Sequence, residues 1–147
     1  ANKSVIAHAN TLNLQEWSNL EILGNISHEL LLKLNGEAII CIGNSISDGM
    51  PNTLLEAIIM DAFPIQSNPG GATEEIISDD MNGLLIHEPE NERHIAEVIS
   101  KAICNKELIY NAIKYNKEHI KPKLERSYIR KQVLDKYTMI EKEIKKS

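Results

Sequence analysis

The stretch ISDGMPNTLLEAIIMDAFPIQSNPGGATEEII, Ile46 to Ile77, holds two glycine turns, two acidic residues eight apart (Asp48 and Glu56) and a short apolar run at Phe63–Gln66. The apolar run AIICI (Ala38–Ile42) lies just upstream and reads as a strand with both faces apolar, as in a buried parallel strand. SDGMPNTLLEA then opens a helix, expected over Asn52–Asp61. Asp48–Asn52 therefore falls at the carboxyl end of a parallel strand, where ligands bind in open α/β sheets.

The residue types there suit an anionic guest. Gly49 has no side chain and lets the backbone approach a ligand closely. Pro51 suits the first helical position, where a missing N–H costs nothing. The free amides and positive dipole end of the helix then favour a phosphate. Glu56 lies five residues further, roughly 7.5 Å along the axis. Helical side chains lean toward the N-terminus, so its carboxylate reaches back and suits the vicinal diol of a ribose. A second reading stands beside this one. TLLE (Thr53–Glu56) also matches a capping box, and Asp48-Gly49 is a common turn dipeptide. SNPGGATEE places Gly70-Gly71 after the strand at Phe63–Gln66, as a second close-approach loop. It matches neither a GxGxxG fingerprint nor a GxxxxGK[ST] loop.

Outward from this stretch, short apolar strands alternate with amphipathic helices, the pattern of an α/β domain with a parallel sheet flanked by helices. Strands are expected at Ser4–Ala7, Leu20–Leu23, Ala38–Ile42, Phe63–Gln66 and Gly83–Ile86. Helices are expected at Leu12–Trp17, His28–Leu34, Asn52–Asp61, Thr73–Ser78, Glu92–Cys104 and Glu107–His119, with a last one from about Glu125 to Glu143. Ser27 is the expected N-cap of the second helix, and Gly36 its end. Asn82-Gly83 is a turn into a strand. In the tail, Ile129, Val133, Tyr137, Ile140 and Ile144 form one apolar helical face, and KEIKKS reads as a solvated end. No strand with a glycine-rich turn opens the chain, so it is expected to begin partway through a nucleotide-binding domain, as one partial domain over 1–147 with a terminal helix over 124–147.

The chain has 147 residues, 42% hydrophobic and 25% charged, with a net charge of -5. That is the size of one ordinary domain with a substantial core. The acidic balance argues against nucleic acid as the main partner. Cys41 and Cys104 lie in apolar sequence and in no CxxC motif, which reads as two buried free thiols in a reducing compartment. No apolar run reaches the length of a membrane span. A cytoplasmic location is expected, with any membrane contact made through parts outside this chain. The five histidines (8, 28, 87, 94 and 119) form no ligand spacing and read as surface or capping residues.

Together these motifs resemble the C-terminal, donor-binding domain of retaining glycosyltransferases with the GT-B fold, a family that includes glycogen- and sucrose-synthase relatives. The family pattern E-G-x-P-x-x-x-x-E reads DGMPNTLLE here. Its following strand and G-G-x-x-E read PIQSNPGGATE, and its N-G-x-L turn reads NGLLIHEPEN. Upstream, NLEILGNISHELLLKLNGEAIICI is similar to the run that leads to the strand before the acidic motif. The resemblance spans roughly Asn19 to Tyr137. It implies a Rossmann-like half of a GT-B fold and transfer of a sugar from a UDP-, GDP- or ADP-sugar to an acceptor hydroxyl, with retention, in polysaccharide or glycolipid synthesis.

The resemblance also implies roles. Asp48 sits near the transferred sugar's hydroxyls, and the amides of Gly49, Met50 and Asn52 near sugar and diphosphate. Glu56 holds the ribose, Gly70 and Gly71 line the second loop, and Gly24, Asn25 and Ile26 lie near the base. No metal or cofactor is implied beyond the donor itself. Three departures stand out. Asp48 replaces the usual Glu and is one methylene shorter. Asn68 or Pro69 stands where an acidic residue often precedes the glycines. The family's diphosphate-neutralising Arg and Lys have no counterpart, since Lys3 is too near the end and Lys33 reads as a helix-surface residue. An acceptor-binding N-terminal domain is also expected outside this chain. The isolated chain is therefore expected to be inactive, with an exposed apolar face through which it can dimerise. The alternatives are a non-catalytic module of the same fold, acting as scaffold or partner subunit, and another GT-B enzyme such as a sugar-nucleotide epimerase.

Overall fold

The computed structural model describes residues 3–144, so Lys145–Ser147 of the expected solvated end lie outside the described residues. The chain divides into two compact units, residues 1–33 and 34–147.

The first unit is helical. Its opening helix α1 (Lys3–Thr11) covers the segment expected to be the strand Ser4–Ala7. Thr11 closes it by donating from Oγ1 to the His8 carbonyl at 2.6 Å. A four-residue apolar run carries no element-type signal by itself, and the flanking Lys-Ser and His-Ala-Asn extend it as a helix. The expected helix Leu12–Trp17 shrinks to a 3-10 turn at Leu14–Glu16, entered through Asn13 at φ 52. Leu20–Leu23 forms no strand. α2 (His28–Glu37) begins as expected, because the Ser27 hydroxyl accepts from the Leu30 amide at 3.2 Å.

The second unit carries the sheet. β1 (Ile40–Gly43), β2 (Phe63–Ser67) and β3 (Leu84–Ile86) pair in parallel in the order β1-β2-β3. The α/β architecture with a helix-flanked parallel sheet is thus present. Side chains alternate along the strands. Phe63, Ile65, Leu84 and Ile86 pack with Ala102 and Ala112 on one face. That face is covered by α4 (Glu92–Cys104) and α5 (Lys106–Tyr115). Leu85 packs on the other with Leu54 and Ile58 of α3 (Asn52–Ile59) and with Ile77. Asn91 and Asn105 cap α4 and α5 by accepting first-turn amides through their side chains.

Several sequence expectations change here. β1 is an edge strand, and Ile39 and Ile42 are exposed rather than buried on both faces. Gly36 does not end α2, which runs through Glu37. A Cβ at Gly36 would meet the Met60 methyl at 2.9 Å, a contact that the flexible methionine can relieve by shifting. Thr73–Ser78 contracts to a 3-10 turn, Ala72–Glu75. The helix expected to reach His119 gives way after Tyr115 to a π-turn at Asn116–Ile120.

The cause of that change is visible. Asn116 is buried and exchanges amide bonds with Asn82: the Asn82 Nδ2 donates to Asn116 Oδ1 at 2.8 Å, and the Asn116 Nδ2 donates to the Asn82 carbonyl at 2.8 Å. Asn82 also binds the Ile76 carbonyl and the Ser78 amide. Widening one turn brings Asn116 inward to this network, and α6 (Lys121–Leu124) and α7 (Arg126–Ile144) follow. The expected apolar stripe of α7 is exposed at Ile129, Val133, Tyr137, Ile140 and Ile144. Among the described residues no helix is long and apolar enough to cross a membrane.

Burial separates two isoleucines that composition does not distinguish. Ile65→Ala is expected to cost about 2–5 kcal/mol, and Ile42→Ala under about 1 kcal/mol. Urea denaturation of both variants measures the difference.

Candidate functional site

The loops that leave β1 and β2 at their carboxyl ends meet. Ser67, the last residue of β2, is fully buried. Its hydroxyl accepts from the Ser45 amide at 2.7 Å and donates to the Ser45 carbonyl at 2.9 Å. Three residues on, the same loops touch again. A Cβ at Gly70 would stand 3.2 Å from the Asp48 carbonyl oxygen, tighter than ordinary contact. Gly71 has φ 80, a left-handed conformation that disfavours any side chain. Thr73 fastens this second loop, donating from Oγ1 to the Ser67 carbonyl at 3.0 Å and from its amide to Asn68 Oδ1 at 3.1 Å. The loop after β3 joins through Asn44, whose Nδ2 donates to the Pro89 carbonyl at 2.8 Å.

α3 starts from this cluster. Pro51 is its N-cap, with extended backbone at φ -71 and ψ 125, rather than its first helical residue. Pro51 has no side-chain oxygen, and no side-chain hydrogen bond caps the helix. The capping-box alternative is thereby removed, because Thr53 lies inside the helix. An N-terminus without a side-chain cap leaves donors for water or an anion.

The expected site residues do not form one group. Asp48, Gly49, Gly70 and Gly71 come together. The Asp48 Oδ1 accepts from the Gly49 amide at 2.8 Å, so that amide is engaged by its own neighbour. Asn52 is exposed at the start of α3, while Met50 turns inward against the cluster of Leu54, Ile58, Ile77 and Leu85. Glu56 is half-buried, and its negative charge is felt at Cys41 on β1. Gly24, Asn25 and Ile26 lie in the first unit, in the irregular segment ahead of α2. Sequence reasoning passed over Ser45, Ser67, Thr73 and Asn44. The available signal was a serine closing a buried strand three residues before a glycine pair.

The cysteines differ from expectation. Cys41 is half-buried and Cys104 exposed, and both are free thiols. Burial, and secondarily the charge of Glu56, pushes the Cys41 thiol above its ordinary 9.0. Its Sγ lies 3.8 Å from Asn35 Oδ1. Among the described residues, no group of three or more His, Cys, Asp or Glu side chains is placed to hold a metal ion.

The family model for glycosyl transferases group 1 matches residues 2–119, and the chain belongs to that family. Among solved structures it is similar to sucrose-phosphate synthase from Thermosynechococcus elongatus, with a TM-score of 0.75 and 20% sequence identity. That match covers 94% of this chain and 34% of the synthase, so the chain spans about a third of that protein's length. At this identity the likeness is one of fold. No curated protein matches the chain.

Alkylation kinetics test the placement of Glu56. Iodoacetamide is expected to label exposed Cys104 before Cys41. Glu56→Gln removes one of the two influences that raise the Cys41 thiol, so Cys41 gains thiolate at a given alkaline pH and labels faster. An unchanged Cys41 rate would place the Glu56 carboxylate elsewhere. The raised thiol also makes the folded state hold this proton more tightly than the unfolded chain. Its contribution to stability is fully present below the ordinary thiol value of 9.0 and is lost as pH rises through the raised folded value.

Proposed function

We propose that this chain is the donor-binding half of a retaining glycosyltransferase. It takes a UDP-, GDP- or ADP-sugar and, with an acceptor-binding domain outside this chain, transfers the sugar to an acceptor hydroxyl in polysaccharide or glycolipid synthesis. In that reaction the acceptor oxygen bonds to the anomeric carbon. The bond from that carbon to the phosphate oxygen breaks, its electron pair leaves on the nucleoside diphosphate, and the departing phosphate oxygen takes up the acceptor hydroxyl's proton. The observation that carries the reading is the close approach of two glycine loops at the ends of adjacent parallel strands, beside the N-terminus of α3, which no side-chain hydrogen bond caps.

In this reading the amides of Met50 and Asn52 and the dipole of α3 receive the diphosphate. Gly70 and Gly71 leave room for it. Asp48 serves the transferred sugar, and it must release the Gly49 amide for that amide to take part. Glu56 accepts the ribose hydroxyls. The reaction needs no metal in this scheme: the dipole of α3 and basic side chains supplied from outside this chain stabilise the leaving charge. The loops 44–51 and 68–72 contain no lysine or arginine. That observation favours the second reading, a non-catalytic module of the same fold, and it is why the isolated chain is expected not to turn over.

Titration of the chain with UDP, GDP and ADP, followed by amide NMR shifts, separates the two. A donor site predicts shifts concentrated at residues 48–56 and 70–71 for one nucleotide. Their loss in Glu56→Ala is expected to correspond to at least about tenfold weaker binding, or 1.4 kcal/mol. Absence of shifts at millimolar nucleotide, here and in a longer form that includes the acceptor domain, would establish the non-catalytic module.

A further inference from the structure

Resting on the donor-site reading above, we infer that Ser67 is a positioning residue: its hydroxyl locks the Asp48 loop and the Gly70–Gly71 loop into one ligand-facing unit on which nucleotide binding depends. Ser67 sits on the central strand, with its backbone fixed against Ile86 of β3. Its side chain is fully buried. A hydroxyl carries one donor and can accept at its lone pairs. Here the donor and one acceptor position are both spent on a single residue of the other loop, the Ser45 carbonyl at 2.9 Å and the Ser45 amide at 2.7 Å. An alanine offers neither group. A thiol is a weak donor and a weak acceptor.

The spacing makes this bond pair a setting device. Ser45 stands three residues before Asp48, and Ser67 three before Gly70. The loops touch a second time at that offset, where a Cβ on Gly70 would come to 3.2 Å from the Asp48 carbonyl oxygen. The hydrogen-bonded pair at one end of this short span and the close approach at the other hold the two loops side by side. Thr73 holds the far end of the second loop to the Ser67 carbonyl, so displacement of Ser67 would be felt on both sides. A ligand that bridges the loops then finds them already ordered. If they moved independently, the ordering cost would fall on binding.

The test uses the whole chain, with Ser67→Ala and Ser67→Cys as two deletions of the same function. Without ligand, amide exchange is expected to quicken at Ser45, Gly49, Gly70 and Gly71 in both variants, while Ile65 and Leu85 keep their protection. With UDP, GDP and ADP as probes, both loops of the wild type should shift along one saturation curve. In the variants, affinity should fall roughly tenfold. Wild-type affinity in the variants, or unchanged loop exchange, overturns the inference. So does loss of protection throughout β2 and β3 in both variants, which would make Ser67 a residue of core stability alone. If neither this chain nor a longer form that includes the acceptor domain binds any of the three nucleotides while loop exchange still responds, the donor-site reading fails and only the lock between the loops stands.

Discussion

The structure of the second unit depends on β2. All five of its residues are buried, it hydrogen-bonds a strand on each side, and its Phe63 and Ile65 enter the apolar cluster under α4 and α5. A strand so enclosed must be short and largely apolar, and FPIQS meets that demand with two polar residues at its end. Ser67 is tolerated in the interior because the chain leaves the sheet at that point. There a buried polar side chain finds main-chain partners. For Ser67 those partners belong to the neighbouring loop, so the requirement to satisfy one buried hydroxyl becomes a constraint on the geometry of the candidate site.

The same logic governs the opposite side of β3. Asn82 and Asn116 are buried amides that satisfy one another and three nearby backbone groups. The π-turn is the helical distortion that lets Asn116 take part. Polar groups in this unit are therefore junctions, each tying a loop or helix to the strand ends. Apolar clusters hold the layers together, and the amide and hydroxyl junctions set where the loops lie. Glu56 is a third kind of group. It is half-buried beside β1 with its charge felt by Cys41, so the carboxylate proposed to meet a ribose also shapes the chemistry of a neighbouring thiol.

Family membership and fold explain what the local motifs share. The DGMPNTLLE and GGATE segments lie at the carboxyl ends of adjacent parallel strands, and the loops that carry them are in contact. The absence of basic residues from those loops marks the point where the chain departs from a self-sufficient anion site. An acidic chain that binds a diphosphate through backbone dipoles alone does so weakly, since each dipole acts over a short range and is screened by water.

By itself the sequence determined the three strands that form, the caps at Ser27, Asn91 and Asn105 being equally local in origin. It also determined the pairing of an acidic motif with a glycine pair, because hydrophobic runs, turn residues and motif spacing are all properties of neighbours along the chain. Ser4–Ala7 and Leu20–Leu23 were misread because a short apolar run has the same composition in a strand, a helix or an extended connection, and only its partners decide which forms. Tertiary structure alone decided that β1 is an edge and that Pro51 stands outside α3. It also decided that Ser67 reaches Ser45 across 22 positions of sequence. Each of these depends on which distant groups are brought within a few ångströms, and that is set by packing rather than by any residue's own preference.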